Sequence, residues 1–92
     1  MELKRVVVTG LGTVNPLGNS IPEYFKGLAE GACGAGLIDR FDVSLFKTKF
    51  ACEVKNFNPA DFGIDRKEAR KMDRFTQYAM ASATQAIEDC GI

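Results

Sequence analysis

Val6, Val7 and Val8 are consecutive β-branched residues set between Lys4-Arg5 and Thr9-Gly10. An unbroken apolar run suits a strand buried on both faces, as in parallel sheets covered by helices, so Lys4 to Thr9 predicts a strand. Gly10 to Asn19 follows as a long turn region. Ser20 and Glu23 then have capping-box spacing, and Pro22 sits in the first turn, where its missing N–H does no harm. Ile21, Tyr24, Phe25 and Leu28 form an apolar stripe, and Gly31 is a natural stop. That pattern predicts a helix from Ser20 to Gly31.

Gly31, Gly34 and Gly36 mark a loop. Ile38 to Asp42 is expected to pair briefly, and Val43 to Phe46 to form a turn. Lys49 to Lys55 alternates in part, with Phe50, Cys52 and Val54 on one face, which predicts a second strand, on an edge or half exposed. Asn58 to Gly63 reads as a short helical turn. Asp65 and Glu68 repeat the capping-box spacing and open a basic segment. From Asp73 the pattern predicts a long helix to Cys90, stopped by Gly91, with Phe75, Ala79, Ala83, Ala86, Ile87 and Cys90 at helical spacing. Ala79, Ala81, Ser82 and Ala83 leave room for another element, so this helix is expected to be buried. A break near Met72–Asp73 rotates Arg74 away from the basic face. Two strands make a poor sheet, so the inventory reads as the opening piece of a larger α/β domain.

Composition narrows this. Ninety-two residues with 46% hydrophobic and 26% charged side chains make at most one small globular domain. No stretch approaches the ~20 apolar residues of a membrane span. The opening residues do not have the form of a signal peptide, and the chain reads as cytoplasmic. The 12 basic and 12 acidic residues cancel, but not evenly along the chain. Arg66 to Arg74 holds five basic and two acidic residues, net +3. On one helix the five basic side chains span an arc of about 140°, with Ala69 and Met72 opposite. A positive face of this kind suits an acidic partner; the plain alternative is a solvated, solubilising helix. Nucleic acid is disfavoured by the neutral whole and by the lack of aromatics among the basic residues.

The chain contains no histidine. That excludes Ser-His and Cys-His nucleophile pairs within it and removes the commonest metal ligand and general base. Cys33, Cys52 and Cys90 contain no Cys-x-x-Cys pair and read as small buried or half-buried residues rather than a disulfide framework or zinc site. Gly10-Leu11-Gly12 after a strand begins a dinucleotide fingerprint, but Asn15 stands at the third glycine and the helix starts too late to meet a pyrophosphate. A tight glycine connection beneath packed elements is the better account. Asp39-Arg40-Phe41-Asp42 reads as a turn with local charge pairing.

Several segments in order resemble the amino terminus of the β-ketoacyl-[acyl-carrier-protein] synthases. They are Lys4 to Gly12 with Asn15-Pro16-Leu17-Gly18, Gly31-Ala32-Cys33-Gly34 with Ile38 to Asp42, and Arg70 to Ala79 with Asp89 to Ile92. Within that family the synthase II type is nearest. The resemblance implies an α/β architecture: residues 1–92 as the N-terminal part of the first half of a thiolase-like fold, whose full form has α/β/α/β/α layers, and not a complete domain. It implies homodimeric enzymes without metal or organic cofactor. These pass an acyl chain from carrier protein to a cysteine and condense it with malonyl-carrier protein, releasing carbon dioxide. The nucleophile and two histidines of the family lie beyond residue 92, so no catalytic residue is expected here and the chain alone is expected to be inactive. By the resemblance Lys67, Arg70 and Lys71 bind acidic helix II of the acyl carrier protein, with Arg66 and Arg74 as additions on the same face. Polyketide ketosynthase and chain-length-factor relatives, and a non-catalytic α/β module that docks an acidic protein, are the alternatives.

Overall fold

Helix α1 (Ile21–Glu30) begins where the capping spacing puts it. In the computed structural model, which describes residues 2–91, the Ser20 hydroxyl accepts from the Glu23 N–H at 3.3 Å. The Glu23 carboxylate reaches back to the Asn19 N–H at 2.8 Å, one residue earlier than in the usual box. At the far end Gly31 takes a left-handed conformation (φ 70°), which a Cβ would disfavour. The Gly31 N–H then meets the Leu28 carbonyl and the Ala32 N–H the Gly27 carbonyl, at 3.2 and 2.9 Å, a Schellman ending. The apolar stripe is narrower than predicted. Ile21 and Tyr24 are half-buried and Gly27 is buried against Leu17, while Phe25 and Leu28 remain exposed.

Helix α1 belongs to a compact unit of residues 13–58. Before it, Asn15 and Gly18 exchange backbone hydrogen bonds of 3.0 and 3.2 Å, and the Asn15 side chain accepts from the Leu17 N–H at 2.9 Å. After it, β1 (Ala35–Leu37) pairs antiparallel with β2 (Phe50–Cys52), Ala35 opposite Cys52 and Leu37 opposite Phe50. The first of these pairings falls in the predicted loop and just ahead of the Ile38–Asp42 segment; Ile38 contributes only its N–H, to the Lys49 carbonyl at 2.9 Å. Glycine-rich backbone pairs here without an apolar alternation to announce it. Ala51, not Phe50 and Cys52, faces inward on β2. The Val43–Phe46 turn closes as expected, with the Phe46 N–H on the Val43 carbonyl at 2.9 Å. Arg40 does not pair with a neighbouring aspartate. Its Nε lies 3.4 Å from the Glu53 carboxylate, and its terminal nitrogen donates to the Val54 carbonyl. Cys33 and Cys52 are exposed, and only Cys90 is half-buried as expected.

The second unit joins residues 2–12 to 59–91. It holds a 3₁₀ turn (Pro59–Phe62), α2 (Arg66–Arg70) and the 17-residue α3 (Arg74–Cys90), which Gly91 ends at φ 76°. Lys4 to Thr9 is not a strand here. A strand exists by pairing, none of the described residues supplies a partner ladder, and Val6, Val7 and Val8 are 89%, 68% and 77% exposed. The glycines that follow pack as expected. A Cβ on Gly10 would stand 2.2 Å from the Ala86 carbonyl oxygen, and one on Gly12 2.0 Å from that of Ser82. The chain therefore crosses α3 in direct backbone contact, at Ser82, Ala86 and Cys90, four residues apart. The Asp89 carboxylate accepts from the Leu11 N–H between them at 2.9 Å.

The core of this unit is Ile64 and Ala81, with Gln77 beside them. The buried face of α3 thus differs from the predicted stripe, sharing with it the half-buried Ala86 and Cys90. Phe75 and Ile87 are 72% and 56% exposed, and Ala79 and Ala83 are exposed with them. Of the small residues expected to admit another element, Ala81 and Ser82 do so and Ala79 and Ala83 do not, so the helix is packed on one face rather than buried.

Candidate functional site

A five-residue helix is far below the length at which helices persist alone, so α2 depends on its surroundings. Ala69 and Met72 are half-buried, and α2 and α3 both contact the 3₁₀ turn. The predicted capping box at Asp65 and Glu68 does not form. Asp65 has the extended backbone of an N-cap, but its side chain makes no cap bond, and the same holds for Asp73 before α3. The predicted break is present: α2 ends at Arg70, Lys71 is its C-cap, and α3 starts at Arg74.

Arg66, Lys67, Arg70 and Lys71 are all exposed and form one patch with α2. The break places Arg74 on a different helix, so the single arc of five cations resolves into four plus one. Among the described residues the one ion pair is Arg40–Glu53, and none of the five cations has a carboxylate within pairing distance. The patch is therefore an exposed positive surface without ion pairs, with Asp65 and Glu68 as its nearest acids in sequence.

Gln77 was not foreseen. It lies in the first turn of α3, is only 8% exposed, and its side-chain amide donates to the Ala69 carbonyl at 3.0 Å and the Met72 carbonyl at 3.3 Å. These are late carbonyls of α2 and its exit, groups that lack α-helical partners at a helix end, although Ala69 O also accepts the Met72 N–H at 3.2 Å. The available signal was a polar residue one turn past a helix break.

Other chemistry is sparse. An open groove of about 370 Å³ in the unit of residues 13–58 is lined by both charge signs, including Asp39, Arg40, Glu53 and Lys55. Among the described residues no cluster of three His, Cys, Asp or Glu side chains is arranged to hold a metal, and no helix is long and apolar enough to cross a membrane. Cys90 donates to the Ile87 carbonyl of its own helix, with sulfur to oxygen 3.1 Å.

Comparison with known proteins gives this geometry its context. Residues 3–92 match the family described as Beta-ketoacyl synthase, N-terminal domain. The 3-oxoacyl-[acyl-carrier-protein] synthase 2 of Synechocystis sp. is 51% identical over 89 residues, 97% of this chain and 21% of that protein. Its counterpart from Coxiella burnetii is 50% identical over 92 residues, 100% of this chain and 22% of that protein. Among solved structures, the ishigamide ketosynthase/chain length factor has a TM-score of 0.82 at 40% identity, over 94% of this chain and 21% of that one. The chain spans about a fifth of the length of the relatives it matches.

Proposed function

The chain belongs to the β-ketoacyl synthase family, and on that premise we propose that it is the N-terminal part of a synthase II-type condensing enzyme of fatty acid synthesis. The whole enzyme, in this reading, is a cytoplasmic homodimer. It moves an acyl group from carrier protein to a cysteine and then joins it to the malonyl unit of a second carrier with loss of carbon dioxide. Residues 1–92 open the first half of its thiolase-like fold, in α/β/α/β/α layers, and Val6 to Val8, Phe75 and Ile87 face the rest of the polypeptide. Their large exposed apolar surface supports that placement.

The contribution of this chain is delivery rather than bond making. Lys67, Arg70 and Lys71, with Arg66 beside them and Arg74 across the helix break, dock the acidic carrier protein. The observation that carries this is the exposed patch of cations without acidic partners. Exposed charge pairs are each worth about 0.2–1 kcal/mol and are screened beyond about 8 Å at physiological salt. Such a surface attracts an anionic carrier quickly and releases it readily, as a carrier that cycles each turnover requires.

A polyketide ketosynthase or chain-length-factor assignment is the second reading, favoured by the likeness to the ishigamide protein. The 50–51% identity to synthase 2 proteins supports the first more strongly. Replacing Lys67, Arg70 and Lys71 together by Glu tests the docking role. Carrier-protein affinity is expected to fall about 100-fold, from three lost attractions and added repulsion. Its dependence on salt should flatten or reverse. Unchanged affinity removes these residues from the interface.

A further inference from the structure

A short helix meeting a long one at a break needs something to fix the angle between them. The helix caps do not do it, since neither Asp65 nor Asp73 makes a side-chain cap bond. The Gln77 amide does bridge the joint. It donates from the first turn of α3 to Ala69 O in the last turn of α2 and to Met72 O in the link, at 3.0 and 3.3 Å. In sequence Ala69 lies between Lys67 and Arg70, on the face of α2 opposite their side chains, and Met72 directly follows Lys71. A buried amide with both bonds made is a firm clamp, because breaking it leaves the Gln77 amide buried without its acceptors, although the Ala69 carbonyl keeps the Met72 N–H at 3.2 Å.

We infer that Gln77 is a positioning residue for the carrier-docking surface: it holds α2 at a set angle to α3, so that Lys67, Arg70 and Lys71 present their charges together with Arg74. This rests on the docking reading above. The clamp touches no carrier atom. It acts by sparing the partner the ordering of a short helix that has little stability of its own.

The test is a double-mutant cycle on the complete enzyme, with purified acyl carrier protein as the probe. Gln77→Met keeps length and helix propensity but removes both donors. It should weaken carrier binding about tenfold, the worth of roughly two net hydrogen bonds. The salt slope should stay as in the wild type, since every cation remains. In a background of Lys67→Ala, Arg70→Ala and Lys71→Ala, the same change should have almost no further effect. Equal loss in both backgrounds, or unchanged affinity in Gln77→Met, overturns the inference. If the triple alanine variant itself binds like the wild type, the docking reading has failed instead. Should Gln77→Met not fold, hydrogen exchange of the Gln77 side-chain amide in the wild-type enzyme decides the matter. Slow exchange is expected of a clamped amide, and exchange at the rate of a free glutamine overturns the clamp.

Discussion

Each of the two units is held internally by a different balance of contacts. In residues 2–12 and 59–91, the decisive contact is shape: backbone at Gly10 and Gly12 lies against the backbone of α3, and two aspartates at N-cap positions make no cap bond. In residues 13–58 there are close glycine contacts too, since a Cβ on Gly18 or Gly34 would stand 2.5 Å from the Cβ of Glu23 or Pro16, but here polar side chains also tie down backbone at several points. Ser20 and Glu23 clasp the start of α1, Asn19 holds the Lys55 carbonyl at 2.9 Å, Arg40 the Val54 carbonyl, and Lys49 the Val43 and Ser44 carbonyls at 3.1 and 3.2 Å. Contact by shape tolerates no added atom. Stapling by exposed side chains loses one modest bond at a time. The docking patch sits in the first unit, where the polar ties to backbone are the Gln77 amide at the helix break and the Asp89 carboxylate on the Leu11 N–H.

The sharpest way to break this contrast is a single methyl group. Gly12→Ala places a Cβ 2.0 Å from the Ser82 carbonyl oxygen, a contact only backbone movement can relieve. Destabilisation of about 3 kcal/mol is expected, at the upper end of overpacking effects, read as a lowered denaturant midpoint. Gly36→Ala on β1 has nothing within 4 Å of its Cβ and should leave that midpoint within about 0.5 kcal/mol of wild type. Similar losses in the two variants would show that the close backbone approach at Gly12 does not decide stability.

The sequence shows this difference unevenly, and the reason is physical. Caps and stops are local chemistry, so Ser20, Gly31 and Gly91 mark α1 and α3 correctly. The clustered cations, the break after Lys71 and the glycine crossing were legible for the same reason. Pairing is not local. Val6 to Val8 have strand character but no partner ladder among the described residues, and β1 hides in a glycine-rich stretch with no side-chain alternation. The small residues of α3 marked close approach at Ala81 and Ser82, but helical spacing from Phe75 put Ala79 and Ala83 on the packed face, and they are exposed, because spacing alone does not say which side of a helix another segment crosses. For Gln77 the only sequence signal is its place one turn past the helix break, because a buried amide and an exposed one have the same letter. Its role appears only when Ala69 and Met72 come within reach.

A smaller effect sharpens the other side. Ser20→Ala removes the hydroxyl that accepts from the Glu23 N–H, and about 1 kcal/mol of stability should go with it. Ser20→Gly should lose only a few tenths, since glycine is a tolerated cap. Hydrogen exchange at the first turn of α1 reads the change where it occurs. A loss as large as that of Gly12→Ala would mean that stapled contacts are as cooperative as shape contacts.

The smallest effect belongs to one turn of the stapled unit. The Asp42 carboxylate accepts from the Ser44 N–H at 3.0 Å, and that backbone bond, with a lesser contribution from the Ser44 hydroxyl, holds its pKa below the ordinary 3.8. A depressed carboxylate stabilises the folded turn fully above its ordinary value, and the contribution is lost as pH falls through the lowered one. An NMR titration should therefore show Asp42 ionising below 3.8, with the Ser44 amide shift following the same midpoint. Ser44→Ala keeps the N–H and should raise the midpoint only part of the way, because the larger cause is the backbone bond. Asp42→Asn keeps an acceptor oxygen but cannot ionise, so the turn should persist while its acid response disappears. A midpoint at or above 3.8 in the wild type would show that this staple is absent in solution, and would leave the Val43–Phe46 turn to its own backbone bond and the Lys49 ammonium.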